Sequence, residues 1–279
     1  MTEKIRVSVG LKIVGRKSVY DDGKGKIVET RTGTFTRKFI DSIILIIEDD
    51  LAEKVIDVIA RDFDNLSRKC IRSGVWHNQA LCLLGFMLYA ERLKDTNFPP
   101  LSILAIDDGD IKPDEKEKRL KKLIKGSNWG EEIKNVQHKL PKLMLSFKLE
   151  YFDKEIKGLP EYNHKRWFEE INEESILSVN KLADKEKVQN LLSLIEFSKT
   201  ITLTDFHSYY EELKKHPLKD RHNTSYIFHM IENFVLNSIK IYNNAKWEFY
   251  TNHIKEALND INEENVKNFI AADVFFSRK

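Results

Sequence analysis

Ile43-Ile44-Leu45-Ile46-Ile47-Glu48-Asp49-Asp50-Leu51-Ala52 is the stretch on which the fold turns. Its five consecutive apolar residues have the length of one strand, and a strand apolar on both faces suits a parallel sheet covered by helices. The run then stops abruptly in three acids. Beyond them Leu51, Val55, Ile59 and Phe63 recur at helical spacing, and Asp50 with Glu53 matches a capping box, so the pattern predicts a helix over 51–63.

Further strand and helix candidates follow, with no period that indicates an internal repeat. Residues 69–71 suit a short strand, Ser73-Gly74 a turn, and 77–92 a helix carrying Leu81, Leu84 and Leu88 on one face. After a break at Phe98-Pro99-Pro100 comes a second apolar strand, Leu101 to Ile106, which ends in Asp107-Asp108-Gly109-Asp110. Strands alternating with helices predict an α/β fold with a mostly parallel sheet flanked by helices, whose ligand crevice lies at the carboxyl ends of the strands. Both acidic clusters fall on that edge.

Upstream, residues 4–37 alternate apolar and polar side chains around the turn Asp21-Asp22-Gly23-Lys24-Gly25, which predicts a β-hairpin or small sheet. Gly10 to Ser18 approaches a phosphate-binding loop, but Arg16 intrudes before Lys17-Ser18 and no helical stretch follows, so an ATP site is rejected there. From about residue 160 the pattern is amphipathic and helical, near 165–173, 185–198, 205–215, 224–243 and 246–258. This divides the chain into an N-terminal β region (1–40), a catalytic α/β unit (41–158) and a helical C-terminal region (159–279), with the boundary near Gly158-Leu159-Pro160.

Composition narrows the classes. The chain has 279 residues, and its 46 Lys and Arg nearly balance 44 Asp and Glu, so any attraction to nucleic acid must be local. Cys70 and Cys82 lack metal-type spacing and read as core thiols of a reducing compartment, with neither disulfide nor zinc expected. The N-terminus has no apolar signal core and no run of about 18 apolar residues occurs, so the expected location is the cytoplasm, away from membranes.

Two strands that deliver Glu48 and the Asp108-Gly109-Asp110 turn to one edge would gather like charges, which is costly without a cation. Magnesium prefers a few carboxylates plus waters, and it can neutralise a phosphodiester under attack. The plainer alternative is that Glu48 to Asp50 cap a helix and Asp108-Gly109 makes a turn.

The strand-end Glu48 followed by the later Asp108-Gly109-Asp110 resembles the Toprim pattern, in particular the Toprim half of the OLD (overcoming lysogenization defect) nucleases, which include the Gabija defence nuclease. Ser73-Gly74-Val75-Trp76-His77-Asn78, Gly158-Leu159-Pro160-Glu161-Tyr162 and Asp205-Phe206-His207-Ser208-Tyr209-Tyr210-Glu211-Glu212-Leu213 extend the resemblance over most of 43–213. It implies that Glu48, Asp108 and Asp110 bind Mg2+ or Mn2+ and cleave DNA, with Glu48 also assisting proton transfer. Many members place an acid four residues after the glutamate where Ala52 stands, so a second ion would need Asp49, Asp50 or Asp107. A family lysine corresponds to Lys214 or Lys215, with Lys214 the catalytic candidate. Because members usually fuse this module to an ABC-type ATPase and no phosphate-binding loop is present, the resemblance implies a nuclease subunit of an antiphage system that works with a separate ATPase, or a C-terminal piece of a longer protein. A homo-oligomer is compatible with it.

Lys118, Lys121, Lys122 and Lys125 fall at helical spacing after the acidic turn and are candidates for phosphate contact, against a solvated face with Leu120, Leu123 and Ile124 inward. His207 is a lesser candidate, and Trp76, Trp129, Trp167 and Trp247 are scattered as core residues are. Two rival functions remain open: a receiver domain with Asp108 as phosphoacceptor, and a non-catalytic scaffold for an ATPase.

Overall fold

The computed structural model describes residues 43–63, 66–93, 102–126, 140–150, 156–179 and 184–276, together with four short strands within residues 5–30. Those four, β1 (Ile5–Arg6), β2 (Leu11–Val14), β3 (Lys17–Asp21) and β4 (Ile27–Thr30), pair antiparallel in sequence order, as the alternation predicts. The Gly-rich turn at 22–25, the Phe98-Pro99-Pro100 break, Trp129 and the side chains of Leu123 and Ile124 lie outside the described residues.

The second sheet is parallel throughout, built from β5 (Ile43–Ile47), β6 (Arg68–Arg72), β7 (Ile103–Asp107) and β8 (Met144–Ser146) in the order β6-β5-β7-β8. Helix α1 (Asp50–Ala60) links β5 to β6, and α2 (Trp76–Leu93) carries the chain back past β5 to β7. The chain thus leaves β5 on one side and re-enters the sheet on the other. A crevice opens at such a reversal, outside the carboxyl ends of β5 and β7.

Period-two alternation sends the strand residues to two cores. Ile46, Ile103 and Ala105 meet Ala80, Leu83 and Met87 of α2 and Leu120 of α3 (Pro113–Gly126). Leu45, Ile47, Leu104 and Ile106 face the other way, onto Val55, Ile56 and Ile59 of α1 and the helical region. Covering on both faces is the physical reason that Ile43–Ile47 carries no polar residue.

After the short α4 (Leu140–Leu143) and β8, the helical region comprises α5 (Leu159–Glu169), α6 (Glu173–Val179), α7 (Lys185–Thr200), α8 (Tyr209–Leu213), α9 (Ser225–His229), α10 (Ile231–Tyr242) and α11 (Asn244–Phe276). Its apolar residues join those of β5 and α1 in one continuous cluster, with Trp167 and Trp247 fully buried. The change of composition near 158 therefore marks a change of secondary structure inside one core.

Several local expectations shift. The helix cap is Asp49, whose side chain accepts from the Ala52 N–H at 2.9 Å, so Asp50 is the first helical residue and not the cap. The stretch 224–243 breaks at Met230 into α9 and α10. Cys82 is exposed on α2, contrary to its reading as a core thiol, whereas Cys70 is half-buried on β6. No helix among the described residues is long and apolar enough to cross a membrane.

Candidate metal centre at the sheet's carboxyl edge

The register of β5 against β7 pairs Ile47 with Ile106, so Glu48, the first residue past β5, and Asp107, the last of β7, stand side by side. The Ser73-Gly74 turn closes over this edge: the Ser73 N–H donates to Ile47 O at 2.9 Å and the Gly74 N–H to Glu48 O at 3.1 Å. From the same stretch the buried Gln79 donates to Ile106 O at 3.0 Å, tying α2 to the end of β7.

Asp107 and Asp108 are neighbours with opposite fates. Asp107 is 2% exposed, and its carboxylate accepts from the Lys116 ammonium and from the Gly109 N–H. Lys116, 8% exposed, also donates to Ser146 Oγ at 2.7 Å, so this ion pair fastens α3 to β7 and β8. Asp108 points into the crevice instead. Gly109 makes the difference possible: its φ is +78°, and a Cβ there would lie 2.0 Å from Phe147 O.

In the crevice the carboxylates are held against their ordinary ionisation. Burial, then the charges of Asp49, Glu48 and Asp110, push Asp108 up to about 9. Burial, then Asp110, raises Glu48 to about 7, against the lowering influence of the Asp108 amide. Asp110 is also raised, by burial and then by Asp107. The Oε2 atom of Glu48 is buried without a hydrogen-bond partner among the described residues.

A further carboxylate joins this set that sequence spacing does not single out. Glu161, in the first turn of α5 and 8% exposed, is raised by burial, and its charge in turn acts on Asp108. Its neighbour is His207, whose Nδ1 lies 3.4 Å from Glu161 Oε1. Gly158 allows that approach: with φ +69°, it takes the chain so close to 206–207 that a Cβ would lie 2.4 Å from His207 N. The three sequence stretches that extend the resemblance thus border one crevice, although they lie far apart in the chain. The available signal for Glu161 was its place in Gly158–Tyr162; its burial beside Asp108 depends on tertiary packing.

The other sequence candidates separate. Asp50 is bound by Arg72 and Asp107 by Lys116, whereas Asp49 caps α1 through one oxygen and Glu161 faces His207. Ala52 is buried in the core. Lys214 pairs with Glu211 at 2.6 Å and Glu232 at 3.6 Å, and Lys54 shares Glu232 at 3.4 Å; Lys215 pairs with Glu212. None of Glu48, Asp108 and Asp110 is an ion-pair partner of Lys214. Lys118, Lys121, Lys122 and Lys125 are all exposed on α3, with Lys121 paired to Glu117 and Leu120 turned into the core.

The donor set is all oxygen, which suits a hard divalent ion. Among the described residues no group of three or more His, Cys, Asp or Glu is placed so that it could hold a metal ion. A magnesium ion here would be held by one or two of these carboxylates and complete its shell with waters. The partnerless Glu48 oxygen and the mutual repulsion of the acids are the features that fit such an ion. Comparison of the chain with protein-family models, with curated proteins and with solved structures gives no match.

Proposed function

We propose that the chain is a Toprim-type nuclease that hydrolyses DNA phosphodiesters with Mg2+ or Mn2+ held by Glu48, Asp108 and Asp110. The observation that carries this reading is that Glu48 and Asp108, at the carboxyl ends of neighbouring parallel strands, are pushed up to about 7 and about 9 by burial and then by neighbouring carboxylates, Asp110 among them. Structural carboxylates are normally paired with cations; carboxylates that raise one another's ionisation suit a site completed by a bound ion.

When bound, the ion would supply charge neutralisation at the phosphoryl oxygens and a more acidic water. Glu48, held by the strand end and the Ser73-Gly74 turn, would ligate the ion and, as the family resemblance implies, assist proton transfer during attack. Asp110, exposed at the mouth, and Asp108, deeper in, would hold the ion from one turn. The exposed lysines of α3, which begins three residues after Asp110, would carry the DNA backbone past the crevice. An ABC-type ATPase subunit, a role in antiphage defence, a homo-oligomer and a cytoplasmic location belong to the same proposal and rest on the family resemblance.

Cleavage of plasmid and linear DNA with Mg2+ or Mn2+ tests it, repeated with any neighbouring ATPase if the isolated chain is silent. Asp108→Ala and Asp110→Ala should each lower the rate by about 10³-fold or more, the loss of several kcal/mol of transition-state stabilisation. Wild-type rates in both variants, or in excess chelator, would remove the metal mechanism. Inert behaviour with a partner that binds tightly would favour the scaffold reading. For the lysines the readout is salt: Lys118, Lys121, Lys122 and Lys125 all changed to Gln should flatten the dependence of DNA affinity on salt by up to about 0.9 for each phosphate that is no longer neutralised. An unchanged slope returns that helix to a solvated surface.

A further inference from the structure

Away from the acidic crevice, the helical region holds a cavity of about 440 Å3 between α7 and α10, closed at one end by α9. Both helices lean on α5, and the space between them is left open. One wall is the α7 stripe Lys187, Asn190, Leu191 and Leu194, at spacings of three and four. The facing wall is the matching stripe of α10, Phe234, Asn237, Ser238 and Ile241. The volume is that of a small-molecule site, and the lining has the usual character of one, an apolar body with a few polar groups.

The polar groups differ in availability. Ser238 and Thr224 donate their hydroxyls to the carbonyls of Phe234 and Leu218, and Asn237 is bonded to Arg61 and Asn233. Asn223 donates to Glu186. The carboxamide of Asn190 has no partner among the described residues, and it is half-buried on the cavity wall. A carboxamide presents a donor and an acceptor side by side, which matches the paired acceptor and donor on the edge of a purine. Tyr226, Phe228, Phe234 and Tyr242 add ring surfaces on which a flat base can stack. Tyr226 is 65% exposed at the mouth, as expected of a side chain waiting for a second surface.

Charge selects among purine compounds. The lining contains Asp184 and Glu186 against the single cation Lys187, so its formal charge is net negative. A phosphate would meet two carboxylates there, whereas an uncharged base or nucleoside would not.

We propose that this cavity binds an uncharged purine base or nucleoside, read by the Asn190 carboxamide and stacked on the surrounding aromatic rings. The site shares no lining residue with the carboxylate crevice and stands or falls independently of the nuclease reading.

Calorimetric titration of the full chain with adenine, adenosine, guanosine and AMP tests it. At least one uncharged purine should bind saturably, and AMP should bind about tenfold or more weaker than adenosine at low salt. Asn190→Leu should weaken the purine about tenfold, as for a lost hydrogen bond and a mismatched edge, without lowering the melting temperature of the free protein. Tyr226→Ala, at an exposed position, should also weaken it while leaving the fold intact. Absence of saturable heat with all three uncharged purines up to millimolar concentration overturns the proposal. So does AMP binding as tightly as adenosine, or affinity that is the same in Asn190→Leu and Tyr226→Ala as in the wild type.

Discussion

Carboxylates along the seam between the sheet and the helical region are treated in the opposite way from those in the crevice. At the seam, burial alone would raise Asp62, but hydrogen bonds from Lys240 and Lys255 outweigh it and hold the group below its usual range. Glu150 is likewise raised by burial and then held down by Lys246 and the Trp167 N–H. In both cases an acid from the sheet half receives a lysine from α10 or α11, so the ion pair ties the two halves together. In the crevice Glu48, Asp108, Asp110 and Glu161 are all raised. The same chain that supplies lysines to Asp62 and Glu150 pairs none with Glu48 or Asp108 among the described residues, so the crevice lowers the stability of the metal-free fold and its composition calls for another explanation.

Asp107 sharpens this contrast, since it stands beside the crevice but is handled as a seam carboxylate. Lys116→Met would leave Asp107 buried and unpaired and should destabilise the fold by about 3 kcal/mol or more, read as a shift of the denaturant midpoint. A loss below about 1 kcal/mol would mean that the Asp107–Lys116 pair is no more than a surface interaction. Asp107→Asn combined with Lys116→Met should recover part of the loss, because no buried charge then remains.

The crevice geometry can be broken without touching a charge. Gly109→Ala places a Cβ 2.0 Å from Phe147 O at a φ of +78°, so the turn or β8 must move. We expect about 2–4 kcal/mol of destabilisation, together with loss of metal affinity because Asp108 and Asp110 sit on that turn. Gly85→Ala is the matched control. It lies exposed in α2 with nothing within 4 Å of the added carbon and should stabilise the protein by up to about 1 kcal/mol. Equal effects at the two glycines would show that the left-handed turn does not position the acids.

What the sequence disclosed, and what it did not, follows the same division between local and distant causes. The strands β5 and β7 were legible because burial on both faces leaves an unbroken apolar run, and their acidic ends were legible because a strand must stop where its side chains can no longer be buried. Strand β8 was not, since Met144-Leu145-Ser146 is too short to show a period and is held by pairing with β7. Helix α1 follows the apolar spacing, but its cap is one residue earlier than the capping-box pattern indicates, because Asp49 and Asp50 offer two equivalent caps. Glu48, Asp108 and Asp110 could be proposed as one site from strand order alone. Glu161 could not: its approach to Asp108 depends on Gly158 turning against 206–207, an approach made across about 50 residues of chain. The pairing of Lys116 with Asp107 was equally hidden, because Lys116 looks in sequence like one more member of the basic face of α3.

The smallest expected effect discriminates most finely between seam and crevice, and Glu48→Gln with and without Mg2+ measures it. Crevice acids have folded-state ionisations above their unfolded values, so the stability they contribute is complete below about pH 4 and is lost as pH rises through about 7 for Glu48 and about 9 for Asp108. Seam acids have the opposite sign: Asp62 and Glu150 are depressed, so their contribution is present above about pH 4.5 and disappears on acidification. The metal-free wild type should therefore melt progressively lower from about pH 5 to about pH 9. Glu48→Gln removes one titrating group and relieves its repulsion of Asp108, so its melting temperature should fall less steeply and exceed that of the wild type at pH 8 by about 2–4 °C. Magnesium should reverse the order, because ion binding needs the ionised carboxylates and gains affinity with pH, so the wild type is raised more at pH 8 than at pH 6 and the variant little at either. A magnesium-dependent rise of the same size in both proteins would show that Glu48 is not a ligand, leaving its buried, partnerless oxygen as a structural cost of the strand end alone.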